Sequence, residues 1–198
     1  MNEFQIETDI RIEDGIKTVF VCLRCIEGVC ASVINKIKEE YGDDDEDQLC
    51  LIMIKVTIEE EKETGAKAEK RIIMTDFYNN VTKYGRGLTH LSEKLKGGAR
   101  AVLCMLLKKA INAGLINEND FVLLEASGDL EDENEEELPM DNLVNYYKML
   151  GFVVSRPKTY KRQLDNMAVY MHGQVSDLLD KCTSVRVSPE LQSVIDRM

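Results

Sequence analysis

The stretch from Thr89 to Gly114, THLSEKLKGGARAVLCMLLKKAINAG, constrains this chain most. Its apolar residues Ala99, Val102, Leu103, Leu106, Leu107, Ala110 and Ile111 recur at i, i+3, i+4 and i+7. That period predicts one amphipathic helix, and Gly114 is placed to close it. Just ahead stands Lys94-Leu95-Lys96-Gly97-Gly98-Ala99, a Gly-rich turn. A helix N-terminus presents unbonded N–H groups and the positive end of the helix dipole, which suits a phosphate. Glycines let the backbone approach such a group without interference from Cβ.

The rest of the chain supplies strands on both sides of this helix. Phe4, Ile6, Thr8, Ile10 and Ile12 alternate with polar residues, the period of a half-buried strand. Asp14-Gly15 is a turn signal, and Thr18 to Leu23 is β-branched and apolar enough for a second strand. From Val29 the spacing becomes helical (Val33, Ile34, Ile37, Tyr41) and stops at Gly42 and the acidic run Asp43 to Asp47. Cys50 to Ile58 and Arg71 to Tyr78 read as a long hairpin through Thr64-Gly65. Beyond Gly114 come a strand (Phe121 to Ala126), an acidic loop (Asp129 to Glu137), and a helix opened by Pro139 and ended by Gly151. Met140, Leu143, Val144 and Tyr147 form its buried face. Phe152 to Ser155 and Met167 to Met171 are closing strands, with short helices expected over Ser176 to Cys182 and from Ser188, where Pro189 takes the first position. No repeat or linker interrupts this order, so residues 1–198 read as a single α/β domain with a mixed sheet.

Charge and cysteine usage narrow the function classes. A net charge of -11 argues against nonspecific binding to nucleic acid or to anionic lipid. It fits a cationic partner, and it fits solubility through a charged surface equally well. No apolar run approaches the roughly 20 residues of a membrane helix, and the N-terminus lacks a secretory pattern. The expectation is an intracellular, cytoplasmic protein. Cys22-x-x-Cys25 with Cys30 nearby invites a zinc or redox reading, but no second CxxC or close His pair completes a ligand set. The six cysteines, Cys50, Cys104 and Cys182 included, are therefore expected to be inert thiols, with no metal. His90 and His172 have no Ser or Cys partner in a recognisable motif and read as structural or exposed. Neither Gly-x-Gly-x-x-Gly nor Gly-Lys-Ser/Thr occurs, which removes the dinucleotide and P-loop readings.

Two segments together carry a resemblance. His90-Leu-Ser-Glu-Lys94-Leu-Lys-Gly97-Gly-Ala99 resembles the acyl-CoA-binding motif of the GNAT superfamily of N-acetyltransferases, R/Q-x-x-G-x-G/A at a helix start, with Lys94, Gly97 and Ala99 in the key places. Further on, Tyr147-Lys-Met-Leu-Gly151-Phe152 is similar to the family's Tyr-x-x-x-Gly-Phe. The resemblance spans about residues 50–171 and implies a GNAT-like fold: a central mixed, mostly antiparallel, splayed β-sheet flanked by helices. It implies acetyl-CoA as co-substrate, held by Thr89, His90, Leu91, Lys94, Leu95, Lys96, Gly97, Gly98, Ala99 and Arg100. Backbone N–H groups of Leu95 to Ala99 would take the pyrophosphate, and a strand ending near Thr89 to Leu91 would pair with the pantetheine amides. Tyr147 would protonate the departing thiolate, since a phenol is reasonably matched to a thiol leaving group. Glu125, at the end of its strand, is the first candidate to take the amine's proton, ahead of Asp76 and Glu93. The chain departs from the pattern at Lys94, Leu91 and Met140. Lys94 keeps a cation but loses guanidinium geometry.

The function this implies is transfer of an acetyl group to a primary amine by direct attack. The acceptor would be cationic, a polyamine or a Lys-containing peptide, concentrated by the acidic loop if that loop lies beside the acceptor mouth. The rival is a degenerate GNAT-like module that binds CoA or a basic peptide without transfer. No nucleic acid or membrane partner is expected, and a homodimer stays open. Tyr147 lies on an apolar helix face, where a core aromatic and a proton donor are both open readings.

Overall fold

The computed structural model describes residues 4–26, 30–41, 50–61, 69–81, 93–127, 140–184 and 186–196. In chain order the elements are β1 (Phe4–Glu13), β2 (Ile16–Cys25), α1 (Ala31–Tyr41), β3 (Ile52–Glu61) and β4 (Glu69–Asn79). They continue with α2 (Gly98–Asn112), β5 (Phe121–Ser127), α3 (Met140–Leu150), β6 (Val153–Val154), a 3-10 turn (Pro157–Thr159) and α4 (Tyr160–Asp165). The chain closes with β7 (Ala168–Gln174), α5 (Val175–Thr183) and α6 (Pro189–Ile195). The strands form one seven-stranded mixed sheet in the order β1-β2-β3-β4-β5-β7-β6.

Local chemistry explains the joints. Asp14 and Gly15 both take left-handed φ (51° and 84°), the two-residue turn that matches strand twist, and Glu13 pairs with Ile16 across it. Between β3 and β4 the register slips: Lys55 faces Asp76 but Val56 faces Met74, leaving Thr75 as an extra residue. This bulge keeps Met74 and Phe77 on one face although they are an odd number apart. Gly114 ends α2 with a φ of 68°, its N–H donating to Ile111 O at 2.8 Å and that of Leu115 to Ala110 O at 2.9 Å. This is the Schellman arrangement.

All neighbouring strands run antiparallel except β4 and β5. That parallel pair joins only Ile72 to Val122 and Ile73 to Leu123. Beyond these pairs the two strands share no register, so the sheet opens between Met74–Asn79 and Leu124–Ser127.

One sheet face carries the main core. Val19, Val21 and Leu23 of β2, Ile52, Ile54 and Val56 of β3, and Val122 and Leu124 of β5 are buried in the same cluster as Val102, Leu103, Leu106 and Leu107 of α2. Each such side chain contributes about 1.5–3 kcal/mol on burial. On the other face of β2 and β3, Phe20, Cys22, Cys50 and Met53 form a smaller cluster. Here the structure corrects the cysteine expectation. Cys22 is not a thiol but is bonded to Cys50, with Cα atoms 5.8 Å apart. Cys22 lies opposite Met53 in the β2–β3 ladder, which brings Cys50, just ahead of β3, within bonding reach.

Among the described residues no helix is long and apolar enough to cross a membrane.

Candidate functional site

The Gly-rich turn of the sequence opens onto a groove. Leu95 to Arg100 form one wall, Tyr146, Met149 and Leu150 of α3 the other, and Ile52, Asn79 and Val81 the floor, around about 340 Å³. The turn is shaped by its glycines. Gly97 has a φ of 77°, a left-handed value that disfavours any side chain. Gly98 packs so tightly that a Cβ there would meet the Ile52 Cδ1 at 2.7 Å.

Two N–H groups of the turn already have acceptors inside it. Lys96 N–H donates to Glu93 O at 3.2 Å, and Gly98 N–H to Leu95 O at 2.9 Å. Ala101 N–H donates to Gly97 O at 3.0 Å, as the first helical bond. Among the described residues no backbone acceptor is recorded for the N–H groups of Gly97, Ala99 and Arg100. These three, with the exposed Lys96 side chain, are what the turn offers an anion. The Leu95 side chain is 5% exposed and anchors the turn in the core. Arg100 ties the walls together, its Nη2 donating to Met149 O at 3.0 Å.

Tyr147 sits behind this groove rather than in its lining. Its ring is 9% exposed and lies 5.9 Å from Phe77, 6.1 Å from Tyr146 and 6.2 Å from Phe152. Burial, and secondarily the neighbouring Tyr146, push its hydroxyl up to about 12. The Tyr-x-x-x-Gly-Phe spacing has a structural reason of its own. Gly151, with a φ of 110°, donates its N–H to Lys148 O at 3.0 Å, and Phe152 N–H donates to Tyr147 O at 3.1 Å. That is a second Schellman cap, with Tyr147 and Phe152 as its customary apolar contact.

Tyr146, which the sequence did not single out, is the groove's aromatic. Asn79 Nδ2 donates to its Oη at 3.2 Å. Burial raises its hydroxyl, while the Asn79 hydrogen bond and the Arg100 charge oppose the rise. The adjacency of Tyr146 and Tyr147 was the available signal: successive helix residues point about 100° apart, so one in the core puts the other at its edge.

Glu125 lies elsewhere. Exposed on β5 opposite Tyr170, it occupies the face away from Leu124 and Ala126, which are buried in the main core. Asp76 is on that same far face, opposite Lys55 in register and 3.4 Å from its ammonium. Tyr147, packed on Phe77, is on the core side. The proposed acid and base therefore stand on opposite faces of the sheet, at the strand pair whose pairing stops at Ile73 and Leu123. His172 is held by Ser155 (Oγ to Nδ1, 2.9 Å) and by the Phe121 ring at 5.8 Å, a structural setting. Thr89, His90, Leu91 and the acidic loop Asp129 to Glu137 lie outside the described residues. Among those described, no three His, Cys, Asp or Glu side chains gather as metal ligands would.

A second hollow, about 470 Å³, lies on the other side of the turn, between Glu93, Lys94 and Lys96 and the segment 186–190.

No protein-family model matches this sequence, and no curated protein matches it.

Proposed function

We propose that the chain is an acetyl-CoA-dependent N-acetyltransferase of GNAT type acting on a primary, cationic amine. The observation that carries this reading is the groove: a Gly-rich helix start, Leu95 to Arg100, facing α3 across a hollow whose floor includes Asn79 at the end of β4, the strand that parts from β5. The resemblance implies a mixed, mostly antiparallel, splayed sheet, and the described strands, antiparallel but for the short β4–β5 pair, support the reading. The Tyr-x-x-x-Gly-Phe segment adds less, because its cap explains the spacing without chemistry.

In this reading the N–H groups of Gly97, Ala99 and Arg100, with Lys96, bind the pyrophosphate of CoA, and the thioester arm lies towards the strand gap. The amine comes from the far face, where Glu125 and Asp76 offer negative charge to a cation. Glu125 or water first takes one proton from the ammonium; the neutral nitrogen attacks the thioester carbonyl carbon, the N–C bond forms and the C–S bond breaks. The sulfur leaves with the bonding pair and takes the proton of the Tyr147 hydroxyl, a transfer that burial makes harder by pushing that hydroxyl up to about 12. The second proton of the nitrogen leaves to water after the attack, and Tyr147 regains its own from solvent.

The test is CoA thiol release from acetyl-CoA over polyamines, amino acids, aminoglycosides and Lys peptides at two salt concentrations. Tyr147→Phe is expected to lower kcat by about 10²-fold or more with acetyl-CoA binding retained. Tyr146→Phe is expected to act chiefly on the KM for acetyl-CoA. A polyamine preference that fades with salt would support electrostatic recruitment. Binding of acetyl-CoA with no release on any acceptor would favour the module without transfer, and unchanged kcat in Tyr147→Phe would remove Tyr147 from its role.

A further inference from the structure

Three polar side chains are buried among the described residues, and one of them, Ser188, reaches the Gly-rich turn across a separation of 94 residues. Its hydroxyl donates to the Lys94 carbonyl and its backbone N–H to the Lys96 carbonyl, the latter at 3.2 Å. The same hydroxyl oxygen accepts from Leu191 N–H at 3.2 Å, capping α6. Residues 186–190 thus lie along the outer side of the turn as a strap. The fit is close: a Cβ on Gly97 would meet Val187 Cγ1 at 3.2 Å and Arg186 O at 3.4 Å. Leu191, fully buried, and Val194, at 8% exposure, anchor the strap from behind.

A turn binds an anion through its N–H groups only while its carbonyl oxygens face elsewhere, because a carbonyl dipole aimed at the anion repels it. Around Gly97, whose backbone is the most permissive in the turn, that orientation needs outside support. The strap gives the Lys94 and Lys96 carbonyls donors on the side away from the groove. We infer that Ser188 is a positioning residue for anion binding at the turn, acting through these carbonyls to hold the backbone of Leu95 to Arg100 in the form that lines the groove. The inference rests on the donor reading above, and the exchange comparison below tests the hold of Ser188 on the turn apart from it.

The experiment combines calorimetric titration with CoA and amide hydrogen exchange over residues 95–100. It compares the full chain with Ser188→Ala, Ser188→Thr and Val194→Ala, the last loosening α6 without touching the turn. Ser188→Ala is expected to weaken CoA binding about five- to tenfold, the size of one buried hydrogen bond. It should also speed exchange in the turn beyond anything Val194→Ala causes, while Ser188→Thr restores both. In turnover the change should fall on the KM for acetyl-CoA and spare kcat. Ser188→Cys, near-isosteric and a weaker donor, is the milder arm if Ser188→Ala does not fold. Unchanged binding, or equal effects of Ser188→Ala and Val194→Ala, would overturn the inference and leave Ser188 a brace for α6. A wild-type chain that binds no CoA would remove the donor reading instead, and the exchange comparison would still decide the role of Ser188.

Discussion

At the scale of single residues, the Tyr146–Tyr147 pair divides the labour between groove and core. Periodicity puts Tyr147 on the apolar face of α3, and it is buried there. Nothing in the spacing says that Tyr146 meets the end of β4, because that depends on where Asn79 falls. The burial of Tyr147 has a measurable consequence at high pH. Its folded-state value, about 12, stands above the unfolded value near 10, so the folded state holds this proton more tightly. The associated stability is intact below about pH 10 and is lost as pH climbs towards 12. Cys182, pushed up to about 12 by burial and then by the nearby Cys104, acts in the same direction from about pH 9 upward. Thermal melts across pH 9–12 should therefore show a falling Tm, with a shallower fall above pH 10 in Tyr147→Phe. Parallel curves for the two proteins would contradict this account.

At the scale of elements, the glycines separate backbone cost from packing cost. Gly114 and Gly97 both have left-handed φ, 68° and 77°, but a Cβ on Gly114 would meet nothing within 4 Å whereas one on Gly97 would press on the strap. Gly114→Ala should cost about 1 kcal/mol from the backbone alone. Gly97→Ala should cost more and also weaken binding at the turn, which urea unfolding and CoA titration on the same samples would separate. Equal costs would mean that the strap yields freely. The elements with strong periodicity or turn chemistry were legible in the sequence: the Asp14-Gly15 hairpin, α2 with its Gly114 cap, and α6 with Ser188 and Pro189 at its start. The α4 segment was not. Tyr160–Asp165 is too short for a period to show, and it is held by distant partners. Gln163 Nε2 donates to Arg156 O at 3.0 Å and to Thr159 Oγ1 at 2.8 Å, its Oε1 accepts from Tyr170 N–H at 2.9 Å, and Tyr160 Oη donates to Asp141 at 2.7 Å.

At the scale of the whole molecule, what the sequence hid was mostly partnership across the chain. The CxxC spacing drew attention to Cys22 and Cys25, yet residue 22 pairs with residue 50 because β2 and β3 are neighbours in the sheet. A bond closing 28 residues should add about 3–4 kcal/mol. Replacing both cysteines by Ala is expected to lower stability by that order, and reduction of the wild type should lower it similarly; a variant as stable as the oxidised protein would contradict the assignment. The Gly-rich turn shows the same division: its glycines were readable in place, while the strap packed on it was not. Ser188 comes 94 residues after Lys94. On a translating ribosome, at about 5–20 residues per second, the turn therefore waits on the order of 5–20 s for the segment that sets its geometry. A nascent chain that has emerged through β7 carries every glycine of the turn and still lacks the Ser188 contacts to Lys94 and Lys96, so the turn takes its final form only after the strap has emerged.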